Sequence, residues 1–280
     1  MPADWLGILF ALTSALAWGG GDFCGGAAAR RNNLYQVLPT AALSGLALLL
    51  GLVLLCGEAF PSPQGVLWAA LAGASGAAGM AALYRALALG HAASVAPTSA
   101  VIGAALPVIF GGLVEGLPGA ARLAGFGLAF AGIWLVSRTD AAAGGTSRRS
   151  LLLACLAGAG FGGFFILIAQ VERGLVFSPL VVSRCLTLGA ALLLLRVHRL
   201  PWVSPALHPY ALIAGLLDAG GNMFYVLARQ FTRLDAAAVL SSLFPAGTVI
   251  LARIVWREPV TRTQWLGLAF CLAAIALIIV

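Results

Sequence analysis

Residues 5–31 read WLGILFALTSALAWGGGDFCGGAAARR, and from Trp5 to Ala29 this run holds a single charged residue, Asp22, before it closes on Arg30 and Arg31. At a rise of about 1.5 Å per residue, roughly 20 apolar residues in a helix cross the ~30 Å hydrocarbon core of a bilayer, so this run is long enough to span it. A cleaved signal peptide is the competing reading, because Ala27, Ala28 and Ala29 offer a small-residue cleavage site. The leading residues MPAD argue against it, since they carry an acid and no base where a signal peptide needs positive charge. The run is expected to be a retained membrane helix, and its one aspartate has to be explained.

The rest of the chain repeats the pattern. Of its 280 residues, 61% are hydrophobic and 9% charged, and the mean hydropathy is +1.02. A soluble core of this size needs a polar surface that nine acids and sixteen arginines, with no lysine, do not supply. The fold class expected is an all-α polytopic membrane protein. Ten spans are expected, at Trp5–Ala29, Leu34–Cys56, Gly65–Leu89, Ala92–Val114, Ala120–Val136, Leu151–Val171, Ser178–Leu195, Pro209–Ala228, Ala236–Val255 and Gln264–Val280. They are separated by turn chemistry such as RRNN, FPSPQG and EGLPG.

SRTDAAAGGTSRRS, residues 137–150, reads as a linker at the middle of the chain. Sliding the sequence on itself by 142 residues keeps helices and breaks in register without a gap, with Gly73/Gly215, Gly79/Gly221, Ser99/Ser241 and Gly125/Gly267 among the identities. Residues 1–136 and 151–280 are therefore expected to be two five-helix repeats. Five is odd, so the second repeat enters the bilayer from the opposite side to the first. Such inverted repeats are a plan of secondary transporters, which hold substrate near the midplane between the halves.

The arginines divide unequally between the faces. Eleven fall on the face of the linker, among them Arg30, Arg31, Arg138, Arg148, Arg149, Arg196, Arg199 and Arg257, while Arg122, Arg173, Arg229 and Arg233 fall on the other. The positive-inside rule then places the linker in the cytoplasm and both termini outside. Basic residues spread between apolar runs argue against a nucleic-acid partner. Cys24, Cys56, Cys155, Cys185 and Cys271 are widely spaced within or beside apolar runs, His91, His198 and His208 fall in connections, and no Cys/His pair has metal-ligand spacing. No metal or other cofactor and no catalytic group is expected.

Asp22, Arg184 and Asp218 sit inside spans, where a charge costs about 2.5 to 3.5 kcal/mol on insertion scales and so faces a cavity or a partner. Counted from helix ends on the linker face, they lie roughly 12, 18 and 15 Å deep, in one layer. Arg184 and Asp218 are on consecutive antiparallel helices, which allows an ion pair. Asp22 has no base in its helix and is flanked by glycines. The 142-residue register puts Phe164, Ala42 and Gly76 opposite Asp22, Arg184 and Asp218, so each charge exists in one half alone.

Asn222, one turn after Asp218, and Trp18 and Tyr225 are candidate contacts for substrate or coupling ion, drawn from a layer that also holds Phe23, Tyr84, Phe165 and Gln170. Most such aromatics are packing. Pro97, Pro107 and Pro245 are expected to break helices and free backbone carbonyls. Gly21 with Gly25 and Gly158 with Gly162 have the spacing of close helix packing. Ser75, in Gly73-Ala74-Ser75-Gly76, imitates an intramembrane serine hydrolase motif, but no histidine falls within a helix to act as its base.

SALAWGGGDF, residues 14–23, and the closing unit AAVLSSLFPAGTVILARIVWREPVTRTQWLGLAFCLAAIALIIV, residues 237–280, together resemble the EamA-type transporters of the drug/metabolite transporter superfamily. In the first half, VEGLPGAARLAGFG departs from that family's usual Gly-Glu turn. The resemblance implies a multi-pass transporter of the bacterial inner membrane, a monomer or homodimer, that exports a small organic metabolite, amino-acid-like or amphipathic, by alternating access. Protons are a candidate coupling ion through a membrane carboxylate. The family expectation for the termini is cytoplasmic, against the charge count. A non-transporting membrane scaffold is the alternative.

Overall fold

A computed structural model describes residues 2–31, 33–89, 92–137, 147–201 and 209–279. Among these the regular structure is helical: α1 (Pro2–Arg31), α2 (Leu34–Cys56), α3 (Pro63–Leu89), α4 (Ala92–Val114), α5 (Ala120–Ser137), α6 (Arg148–Ile168), α7 (Phe177–Val197), α8 (Pro209–Phe231), α9 (Leu234–Ser241), α10 (Phe244–Val255) and α11 (Arg262–Ile279). Ten stretches are long and apolar enough to cross a membrane, α9 and α10 forming one of them, Leu234–Val255. Most of the linker and the positions of His91 and His208 lie outside the described residues.

The boundaries follow local chemistry. Asn33 caps α2 by accepting from the Tyr35 N–H, and Gly57 ends it in the left-handed region at φ 61°. Ser147 caps α6 by accepting from the Ser150 N–H, so this helix starts three residues before the apolar run at Leu151. It also ends at Ile168, short of the expected Val171, because the Gln170 N–H turns to the Leu167 carbonyl in a tightened last turn and Gly174 takes φ 93°.

The prolines behave differently from one another. Pro245 follows the interruption at Ser242–Leu243 and occupies the first turn of α10, where its missing N–H costs nothing. The expected breaks at Pro97 and Pro107 do not occur, since α4 runs through both. Each removes one backbone bond, and packing of α4 on α6 holds the helix together across the gap.

The principal packing joins the first half of the chain to the second. α1 lies on α8, α9 and α10, α3 on α6, α2 on α7 and α8, α3 also on α7, α4 on α6 and α9, and α5 on α11. Exchanging the halves by the 142-residue register turns this set into itself. Loop contacts obey the same exchange: the Ser178 hydroxyl donates to the Ala59 carbonyl at 2.8 Å, and the Gln36 amide donates to the Pro201 carbonyl at 3.1 Å. Glu58, between α2 and α3, accepts from the N–H groups of Val176, Phe177 and Ser178, placing a carboxylate on the otherwise unpaired donors at the start of α7.

Glycine sets the closest crossings. A Cβ at Gly160 would stand 2.5 Å from the Gly79 Cα, so α3 and α6 touch backbone to backbone. The register-equivalent crossing of α1 with α8 pairs Gly221 with Trp18, whose indole lies over the glycine. Gly158 and Gly162 serve the α4–α6 contact, against Ser99 and Gly103, while Gly21 faces Ala214 and Asp218 on α8. Gly160→Val is expected to push α3 off α6 at a cost of about 1–3 kcal/mol or more. The checking measurement is the yield of monodisperse protein and its thermal midpoint in detergent, and an unchanged midpoint would contradict the close crossing.

Candidate functional site

α1 carries two candidate residues to the interior on one face, because Trp18 and Asp22 are four apart. The Trp18 ring packs against Phe165 of α6, Tyr225 of α8 and Phe244 of α10, with centroids 5.5, 6.3 and 6.2 Å away. Tyr225 is wholly buried and its hydroxyl donates to the Phe165 carbonyl at 2.9 Å. These rings form an aromatic plug. Tyr225 thus belongs to the plug behind Trp18 and not to an exposed wall.

Asp22 lies one turn nearer the linker face than Trp18, and its side chain is exposed. Asp218 on α8 and Tyr84 on α3 are within electrostatic reach of it. Asp22 thus shares a helix face with Trp18 and lies toward α8 and α3. It has no ion-pair partner among the described residues.

Arg184 on α7 and Asp218 do meet, with Nη1 to Oδ2 at 2.6 Å; the arginine side chain is 9% exposed and the aspartate 47%. The guanidinium is held from behind by α2, where a Cβ at Gly45 would stand 3.3 Å from its Cζ. Such a buried cation without its partner would be strongly destabilising, whereas the pair itself roughly breaks even. Asn222 donates to the Asp218 carbonyl at 2.7 Å, which commits one of its two amide N–H donors to its own helix. With Arg184 and Asp218 neutralising each other, an ionised Asp22 gives the layer one net negative charge.

Ser75 donates to the Gly160 carbonyl at 2.9 Å and packs against Gly163, within the α3–α6 contact. His198, the histidine that falls among the described residues, stacks on Tyr35 at the linker face. The hydrolase-like motif is therefore helix packing.

Two groups gain a place that sequence reasoning did not give them. Tyr84 read as one aromatic among several, yet it joins Asp22 and Asp218. Arg229 and Arg233 enter the sequence reading only through the count of arginines on each face, and Glu115 and Asp235 are not singled out there, yet the four form one network on the face away from the linker. Arg229 and Arg233, four apart and followed by Asp235, are the signal that could have found it.

The family model described as EamA-like transporter family matches residues 148–280. A solved structure described only as the crystal structure of a protein shares the fold, at TM-score 0.76 and 18% identity, covering 97% of this chain and 95% of its own. No curated protein matches the chain.

Proposed function

We propose, from the match of residues 148–280 to the EamA-like transporter family of the drug/metabolite transporter superfamily, that the whole chain is a secondary transporter of a small amine-bearing organic metabolite. Substrate binds Asp22 through its cationic nitrogen, with its apolar body over Trp18 and Tyr84, where the ring faces add cation–π attraction. The Arg184–Asp218 pair bounds the site and offers Asp218, half exposed, to a second polar group of the substrate. The observation that carries this reading is the exposed, unpaired carboxylate of Asp22 beside a neutralised pair.

The two halves act as inverted repeats that rock about the site. The exchange symmetry of the helix contacts and of the Ser178–Ala59 and Gln36–Pro201 loop contacts supports this arrangement. Asp22 lies on the side of Trp18 nearer the arginine-rich face, which the positive-inside rule makes cytoplasmic. A site loaded from the cytoplasm suits export. Protonation of Asp22 on release gives a route for proton coupling.

The test compares the metabolites released by cells expressing the protein with those released by cells carrying an empty vector, together with reporter fusions at both termini. Enrichment of amine-bearing compounds outside the expressing cells and an external reporter signal are expected. A release profile indistinguishable from the control would support the scaffold alternative, and cytoplasmic termini would reverse the assigned direction.

A further inference from the structure

The network on the face away from the linker ties the two halves together. Arg229 Nη2 lies 2.7 Å from Glu115 Oε1, and Arg233 Nη2 lies 2.9 Å from Asp235 Oδ2, with Arg233 Nε 3.9 Å from Glu115 Oε2. Arg233 also donates to the carbonyls of Glu115 and Gly116 at 3.0 and 2.6 Å, and the Leu234 N–H donates to Glu115 at 3.2 Å. Asp235 is fully buried and accepts from the Ala236 N–H at 2.7 Å. Its hydrogen bonds with Arg233 hold that guanidinium above its ordinary range. The end of α4 is thereby fastened to the end of α8 and the start of α9, directly beneath the aromatic plug.

The register shows what stands at the matching positions on the linker face. Arg257 replaces Glu115, Leu87 replaces Arg229, His91 replaces Arg233 and Ala93 replaces Asp235. No acid faces a base in that set. The Arg30–Glu258 pair on the linker face, at 2.8 Å, lies between residues 61% and 43% exposed, where screening leaves such a pair little worth.

We propose that Glu115, Arg229, Arg233 and Asp235 form a one-sided latch that closes the face away from the linker and makes the linker-open conformation the resting state. The proposal rests on the alternating-access reading above and adds a preferred state to it. Closing the linker face breaks several charge-assisted bonds, and the register-equivalent residues Arg257, Leu87, His91 and Ala93 carry no acid to replace them. The empty protein therefore rests with Asp22 open, and substrate entering there has to supply the differential binding that turns the carrier over.

Hydrogen exchange on the full-length protein in lipid nanodiscs, read by mass spectrometry, tests the latch. Glu115→Gln and, separately, Arg229→Gln are expected to raise exchange at the ends of α4 and α8 and to lower it around residues 22–31 and 80–89, each by about fivefold. The mirror variant carrying Leu87→Arg and Arg257→Glu installs the missing pair and is expected to lower exchange on the linker face while raising it at Glu115 and Arg229. Faster exchange on the latch face alone, with the linker face unchanged in both glutamine variants, makes the network a simple tether and overturns the proposal. The mirror variant shifting the two faces reciprocally while the glutamine variants do nothing leaves alternation intact and sinks the latch. Reciprocal change in none of the three defeats the alternating-access reading itself, and the latch with it.

Discussion

Asp22→Asn is expected to reduce flux of the amine substrate by more than about tenfold while leaving the protein folded and inserted. The substitution keeps the shape of the side chain and removes the one charge that the layer leaves unneutralised. An ammonium group at a carboxylate gains a charge-assisted bond that an amide reproduces only in part, and a difference of about 1.4 kcal/mol is already tenfold. Counterflow in proteoliposomes measures it, with a neutral analogue of the same size as control. Wild-type counterflow by Asp22→Asn across the pH range would falsify the assignment of Asp22 as the anchor.

Reversing either charge of the Arg184–Asp218 pair is expected to be the most damaging change to the layer. Arg184→Asp sets two carboxylates against each other where Gly45 closes the back of the site, and Asp218→Arg sets two guanidiniums there. Breaking a buried pair costs about 3–5 kcal/mol, a figure to be reduced here because Asp218 is 47% exposed. Either single variant should lose most folded protein from the membrane. The double reversal should recover part of it, since it restores opposite charges in the same place. Fluorescence-detected size exclusion gives the yields, and a double variant no better than the worse single one rules out the pairing as the cause.

The ten spans were legible because apolar runs of membrane length have few other uses. The ion pair was legible because Arg184 and Asp218 are opposite charges within consecutive antiparallel helices. Tyr84 was not, because an aromatic near a helix end looks the same whether it lines a site or a lipid interface. Asn222 shares a helix face with Asp218 by spacing, but its amide bonds the Asp218 carbonyl, a choice that spacing does not reveal. Pro97 and Pro107 show a further limit: sequence marks the missing donors, but whether the helix breaks depends on the neighbours that hold it. The Glu115 network escaped because its members come from the ends of different helices, far apart in the chain and joined only by packing.

The Glu58 carboxylate on the start of α7 has a consequence for how the protein is made. The helix it completes is synthesised more than a hundred residues after it, as the 118-residue separation of Glu58 from Val176 records. While α2 and α3 enter the bilayer, Glu58 waits at the membrane surface without its partners. When α7 emerges, its first donors are unsatisfied until that carboxylate reaches them. Since the principal helix contacts likewise join the halves, the first half remains without most of its native neighbours until the second is inserted. During biogenesis the chain behaves as two subunits assembling late, and the peptide between them keeps the second subunit at high effective concentration for the first.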